Sequence, residues 1–169
     1  MIRKMKRNLI NFIIFILSGL IISCGSKLVS RSTPLYSNLE TDLYYISITP
    51  LSIYDRHCGF RLIVKNKTPN NLLVDWNNAF YTEDGVRQGG FMYDGIEFEY
   101  RNNPVTPVTV RGWDIYIKTI WPSVLAEGTR DQWTQMPMKP GKHGVEITLA
   151  VNGEVFQEKL DVEISIESK

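Results

Sequence analysis

From residue 42 to the C-terminus, apolar and polar positions alternate with a period of two, the signature of strands with one face buried. In "LYYISITPLSI" Tyr44, Ile46 and Ile48 share one parity and so line one face of a predicted strand. Pro50 has no N–H to give a ladder, which places it at an edge or a strand end. "CGFRLIVKNKTPNNLLVDW" reads as a strand, a turn at "NKTPNN" and a second strand. Phe60, Leu62 and Val64 face inward, and Leu72 and Val74 continue the core after the turn. Asp84-Gly85 supplies a turn with positive φ between two short strands. The clearest element is "EITLAVNGEVFQEKLDVEISIE", where Asn152-Gly153 is a two-residue type I′ hairpin signal. Val145, Ile147, Leu149 and Val151 line one face of its first arm, and Phe156, Leu160, Val162 and Ile164 the same face of its second. No convincing amphipathic helix follows residue 42. Seven or more short strands at intervals of about 8 to 12 residues predict an all-β, antiparallel sandwich, immunoglobulin-like in architecture.

The N-terminus obeys a different pattern. Arg3, Lys4, Lys6 and Arg7 precede an apolar run from Leu9 to Ile22, interrupted by Asn11, Ser18 and Gly19. A charged start, a short apolar core and a small residue at its end describe a secretory signal peptide. The run of about 14 residues falls short of the roughly 20 that a spanning helix needs, although an uncleaved N-terminal membrane helix is the alternative. Its last four residues, Ile21-Ile22-Ser23-Cys24, resemble the bacterial lipobox. That resemblance implies cleavage before Cys24, a thioether-linked diacylglycerol on its sulfur and often a third acyl chain on its amine. Two or more chains anchor a protein stably where one does not. Gly25 follows, not the Asp that resembles an inner-membrane retention signal. The expected location is therefore the outer membrane, facing the periplasm or the surface, or the cell membrane where there is only one. The expected organisation is a signal peptide over 1–23, a lipidated Cys24 and flexible Gly/Ser-rich tether over 24–41, and a sandwich domain over 42–169.

Removing the leader changes the charge balance. The four basic residues it holds come out of a total of 19 Lys+Arg, leaving 15 against 18 Asp+Glu and a formal net charge of −3. Nucleic acid and anionic lipid both call for a basic face, so no nucleic-acid partner is expected. Of the 2 cysteines only Cys58 then remains, which excludes a disulfide within the domain. Cys58 reads as a small buried hydrophobe, because a nucleophilic thiolate needs a stabilising neighbour. His57 precedes it, and consecutive strand residues point to opposite faces.

Candidate chemistry gathers between residues 86 and 141. Trp113, Trp121 and Trp133 lie in this stretch with Tyr93, Tyr100 and Tyr116 nearby. They read as sandwich core and lids, or as an aromatic binding surface, since Trp, Tyr and Arg dominate interface hot spots. The candidate surface is Tyr93, Trp113 and Trp121, with Arg111 as a polar anchor. "VKNKTPNNLLVDWNNAFYTEDG", "IWP" and "MKPGKHGVEITLAVNGE" together resemble small, uncharacterised β-sandwich lipoproteins of the bacterial envelope. The resemblance covers roughly residues 43 to 166 and implies the fold and the anchoring, with no shared activity.

No catalytic constellation is legible. His57 and His143 stand outside HExxH and other metal spacings, and CxxC, GxSxG and GxxxxGK[ST] are missing. Glu97/Glu99 and Asp161/Glu163 fit solvated faces of strands better than an acid pair. Asp75, beside Trp76 and Asn77, fits a ligand hydrogen bond less well than the closing of a turn at the strand end, and Asn66-Lys67-Thr68 has the form of a sequon but in a bacterial chain marks a loop. The expected role is a non-catalytic interaction or structural module with no cofactor and no metal, binding another envelope protein through a sheet edge or loop tips. A small-ligand or glycan-binding sandwich using the 89–133 segment is the alternative, and a hydrolase ranks last.

Overall fold

The computed structural model describes residues 27–93, 95–130 and 132–168. Cys24 and the leader lie outside them. The described chain is an all-β, antiparallel sandwich. Its strands are β1 (Leu28–Thr33), β2 (Ser37–Glu40), β3 (Tyr44–Ile53), β4 (Arg56–Asn66), β5 (Leu72–Glu83), β6 (Val86–Gly89) and β7 (Phe91–Tyr93). There follow β8 (Val108–Val110), β9 (Ile115–Pro122), β10 (Ala126–Gly128), β11 (Trp133–Gln135), β12 (Gly141–Val151) and β13 (Glu154–Ser168). The only helical pieces among the described residues are two 3-10 turns, Phe98–Tyr100 and Ser123–Leu125.

One sheet has the order β1-β13-β12-β5-β6, with β8 also paired to β5; the facing sheet has the order β2-β3-β4-β9-β7. The alternating residues fill the space between them. Tyr44, Ile46, Ile48, Phe60, Leu62, Val64, Leu72 and Val74 are all fully buried, as are Val145, Ile147 and Leu149 from the terminal hairpin. Burial of such side chains stabilises by about 1.5–3 kcal/mol each, so this inner layer outweighs any surface contact. Phe156 is half-buried and meets the Tyr44 ring edge-on at 5.4 Å. Glu158, two residues on, accepts the Tyr44 hydroxyl at 2.5 Å. Pro50 continues β3 opposite Phe60, and β2 reaches only as far as Ile48, so the proline occupies a local edge.

Three hairpins close with two-residue turns of positive φ. Asn152 (56°) and Gly153 (82°) join β12 to β13, and Asp84 (49°) and Gly85 (81°) join β5 to β6, as their Gly residues lead one to expect. The third, Tyr54 (48°) and Asp55 (63°) between β3 and β4, contains no glycine.

The structure corrects the domain boundary. Residues 28–40, read as part of a flexible tether, hold β1 and β2. β1 pairs with β13 from Leu28↔Ser168 to Thr33↔Glu163, and β2 pairs with β3 from Ser37↔Ile48 to Glu40↔Tyr45. Ser30 and Ser32 are buried in β1, where small hydroxyls replace the apolar residues that mark other strands. The folded domain therefore starts about 14 residues earlier than residue 42, with Leu28. Glu97 and Glu99 are corrected too: they belong to the 3-10 turn region, not to a strand, and both approach Arg130, at 3.7 and 3.8 Å.

Candidate functional site

The four residues expected to form one aromatic surface do not come together. Trp113 and Arg111 are exposed in the turn before β9, beside the β4–β5 connection, where the Trp113 N–H donates to Thr68 O. Trp121 lies near the other end of β9, a separation of about 25 Å at the rise of a strand. Tyr93 is close to Trp121 in the sheet, but the register pairs Tyr93 with Ile120 and Met92 with Trp121. Paired residues share a face and their neighbours take the opposite one. Tyr93 therefore faces inward with buried Ile120, its ring 5.0 Å from that of Trp76. Trp121 lies on the outer face, packed on buried Met92, Phe98 and Ala126. It also covers Gly59, where a Cβ would come within 2.7 Å of Trp121 Cδ1. Tyr93 and Trp121 serve packing, and Trp113 is exposed apart from them.

What the sequence did not reveal is an interruption in β5. Its outer edge is paired with β8 at Leu72–Val74 and with β6 at Tyr81–Glu83, so residues 75–80 have no strand partner on that side. On the inner side the register jumps from Thr148↔Asp75 to Glu146↔Phe80, four residues against one. A bulge of this size re-aims side chains and stops pairing locally. Asp75 holds it: Oδ1 accepts the Asn77 N–H at 3.0 Å and Oδ2 accepts the Asn78 amide at 2.8 Å. Thr148 Oγ1 donates to Asn78 O at 2.9 Å across the sheet. Asp75 thus holds a bulge inside β5, where its position had suggested a turn at the end of a strand.

A groove of about 350 Å³ runs beside this bulge. Trp76, Ala79, Phe80 and Phe91 give it apolar walls, and the segment Arg101–Val105 forms the opposite side. Asn77 fastens that segment through both its amide atoms to the backbone of Val105. Arg101 is the one charged side chain among the lining residues; its guanidinium lies 4.0 Å over the Phe98 ring and donates to Phe98 O at 2.8 Å. Asn102 and Asn103 add amides that both donate and accept. Behind the groove Trp76, Tyr93 and Tyr116 form an aromatic group. Burial pushes the Tyr116 phenol up to about 12 and raises that of Tyr93, so both stay protonated at neutral pH. The chemistry on offer is hydrogen bonding and apolar contact.

The two histidines sit elsewhere. Buried His143 bonds to Tyr81 through Nδ1 at 2.6 Å and to Lys139 O through Nε2 at 2.8 Å. A carbonyl only accepts, so Nε2 carries the proton and Nδ1 takes the Tyr81 hydroxyl. Exposed Ser52 bonds to His57 Nδ1 at 2.8 Å across the β3–β4 ladder, and burial lowers the basicity of His57. A bulge at this point leaves Cys58 as an extra residue between Ser52↔His57 and Leu51↔Gly59. The simple alternation expected for His57 and Cys58 therefore does not hold there. Cys58 is buried, its thiol is pushed up by burial, and Sγ faces Leu51 O at 3.7 Å, the setting of an unreactive thiol. Asn66 is buried as a hub, donating to Asn70 O, Val110 O and Arg111 O and accepting from Thr68. No family model, curated protein or solved structure matches this chain.

Proposed function

We propose that this chain is a lipid-anchored envelope protein that works as a non-catalytic interaction module, gripping an extended segment of a partner protein at the gap in β5. The observation that carries the reading is the stretch 75–80, which lacks a strand partner on its outer side and lies beside a groove with aromatic and amide walls. A sheet edge offers backbone donors and acceptors to an incoming strand, and adjacent pockets select its side chains. The groove matches that division of labour: Phe80 and Phe91 offer apolar contact, while Asn102, Asn103 and Arg101 offer polar ends. The anchoring part of the proposal rests on Ile21-Ile22-Ser23-Cys24 and the charged, apolar segment before it.

Photocrosslinking in intact envelopes tests the binding part. A photoreactive residue in place of Asn78, exposed on the bulge, should trap one discrete partner, and the same residue in place of Val155, exposed in the terminal hairpin, should not. Equal adducts at both positions, or none at the bulge, would refute it.

A further inference from the structure

We propose that the tip of the β3–β4 hairpin, Ile53 and Tyr54, is a bilayer contact that seats in the headgroup region beside the lipid on Cys24. This inference rests on the anchoring just proposed and adds a surface and a pose to it.

Lys27 is the third residue after Cys24, and an extended chain covers about 3.5 Å per residue, so the two Cα atoms are at most ~10 Å apart. Lys27 is tied to the hairpin tip: its Nζ lies 2.5 Å from Asp55 Oδ2. Three residues on, the Ser30 N–H donates to Asp55 O at 2.7 Å. A lipid on Cys24 therefore holds this turn close to the membrane, whatever path residues 25 and 26 take.

The turn's own chemistry suits that place. Tyr54 is 94% exposed, Ile53 47%, and Leu28, between the two contacts to Asp55, 50%. Tyrosine has an apolar ring and a polar tip, which is why it concentrates at membrane–water interfaces. The Asp55 carboxylate is neutralised by Lys27, so the tip brings no unpaired anion from this pair to the headgroups. Tyr54 also sits at φ 48°, where the equivalent turn positions hold Asp84 and Asn152, residues that tolerate the left-handed region. A bulky side chain there carries strain, and strain kept at an exposed tip points to a use for that side chain. The opposite pole of the sandwich, with Asn152-Gly153, lies about 35 Å away along the eleven residues of β12.

The test uses the full, lipidated chain, isotope-labelled and reconstituted in nanodiscs whose headgroups carry a paramagnetic gadolinium chelate. Flotation of the same preparation with vesicles reads the anchor separately. The amide signals of Leu28, Ile53, Tyr54 and Asp55 should lose intensity while those of Asn152 and Gly153 keep theirs. In the Ile53→Ser, Tyr54→Ser double variant, flotation should persist and the attenuation at Leu28 and Asp55 should weaken, whereas attenuation there equal to that of the native chain would show that the tether alone keeps the turn near the membrane and would overturn the contact. Normal flotation with equal attenuation at both poles, or strongest attenuation at Asn152 and Gly153, overturns the bilayer contact and leaves the anchor standing. A chain that fails to float overturns both.

Discussion

Asn77 and Val105 bind each other as two backbone units would: Asn77 Nδ2 donates to Val105 O and Asn77 Oδ1 accepts the Val105 N–H, each at 2.8 Å. The pair ties the 101–105 wall to β5 three residues before β8 pairs with it at Val108, beside the packing of Val105 on the core. Asn77→Ala removes both bonds while the apolar core stays intact. The expected cost is about 1–2 kcal/mol, since the pair is exposed and water replaces part of it. Hydrogen exchange at Val105 should accelerate far more than at Leu149 in β12. Unchanged exchange at Val105 would show that the wall is held by something other than Asn77.

The hairpin turns make opposite predictions from one cause. Gly153 has φ 82°, so Gly153→Val forces a β-branched side chain into the left-handed region and should destabilise by about 1–3 kcal/mol. Tyr54 already pays such a penalty, and Tyr54→Asn should raise stability by about 1 kcal/mol. Chemical denaturation of both variants reads the signs directly. A stabilised Gly153→Val would contradict the turn geometry, and a destabilised Tyr54→Asn would mean that the tyrosine is held by contacts stronger than its strain.

These turns also show what the sequence could convey. Asn152-Gly153 and Asp84-Gly85 were legible because glycine announces positive φ, whereas Tyr54-Asp55 carries no such mark. The inward sets of β3, β4 and β12, and Leu72 and Val74 at the start of β5, were legible because each keeps a period of two there. β1 was not, since Ser30 and Ser32 bury hydroxyls where periodicity looks for aliphatics, nor was β2, whose four residues include none that is buried. The gap at 75–80 depends on which strands stop where, a matter of long-range pairing that no local pattern records. The scattering of Tyr93, Arg111, Trp113 and Trp121 has the same origin: a shared segment says nothing of register, and one position of register moved Trp121 to the other face from Tyr93.

Truncation separates the tryptophans. Trp121 packs on Met92, Phe98 and Ala126, so Trp121→Ala should cost on the order of 3 kcal/mol, the low end for a tryptophan because part of the ring is exposed. Trp113 is 67% exposed, and Trp113→Ala should change stability by no more than about 0.5 kcal/mol. Thermal unfolding checks both values, and equal losses would contradict the placement of the two rings.

His57 gives stability a pH dependence. Burial holds its folded pKa below the ordinary 6.5, so the unfolded chain binds a proton first as pH falls. Stability then declines as pH drops below about 6.5 and levels off once pH falls below the depressed folded value. Denaturation midpoints between pH 7.5 and 5, taken as roughly those limits, should fall less in His57→Gln than in the native chain. An identical slope would remove His57 from the account.

The central claim is that Cys24 carries the lipid that holds this sandwich at a membrane. The most direct measurement is the intact mass of the chain purified from membranes, together with fragmentation of its N-terminal peptide. The account predicts a mature chain that begins at Cys24 and bears diacylglycerol on its sulfur, with Cys24→Ala accumulating as unprocessed, lipid-free precursor. A native chain that still contains residues 1–23, or starts at Cys24 without lipid, would contradict it.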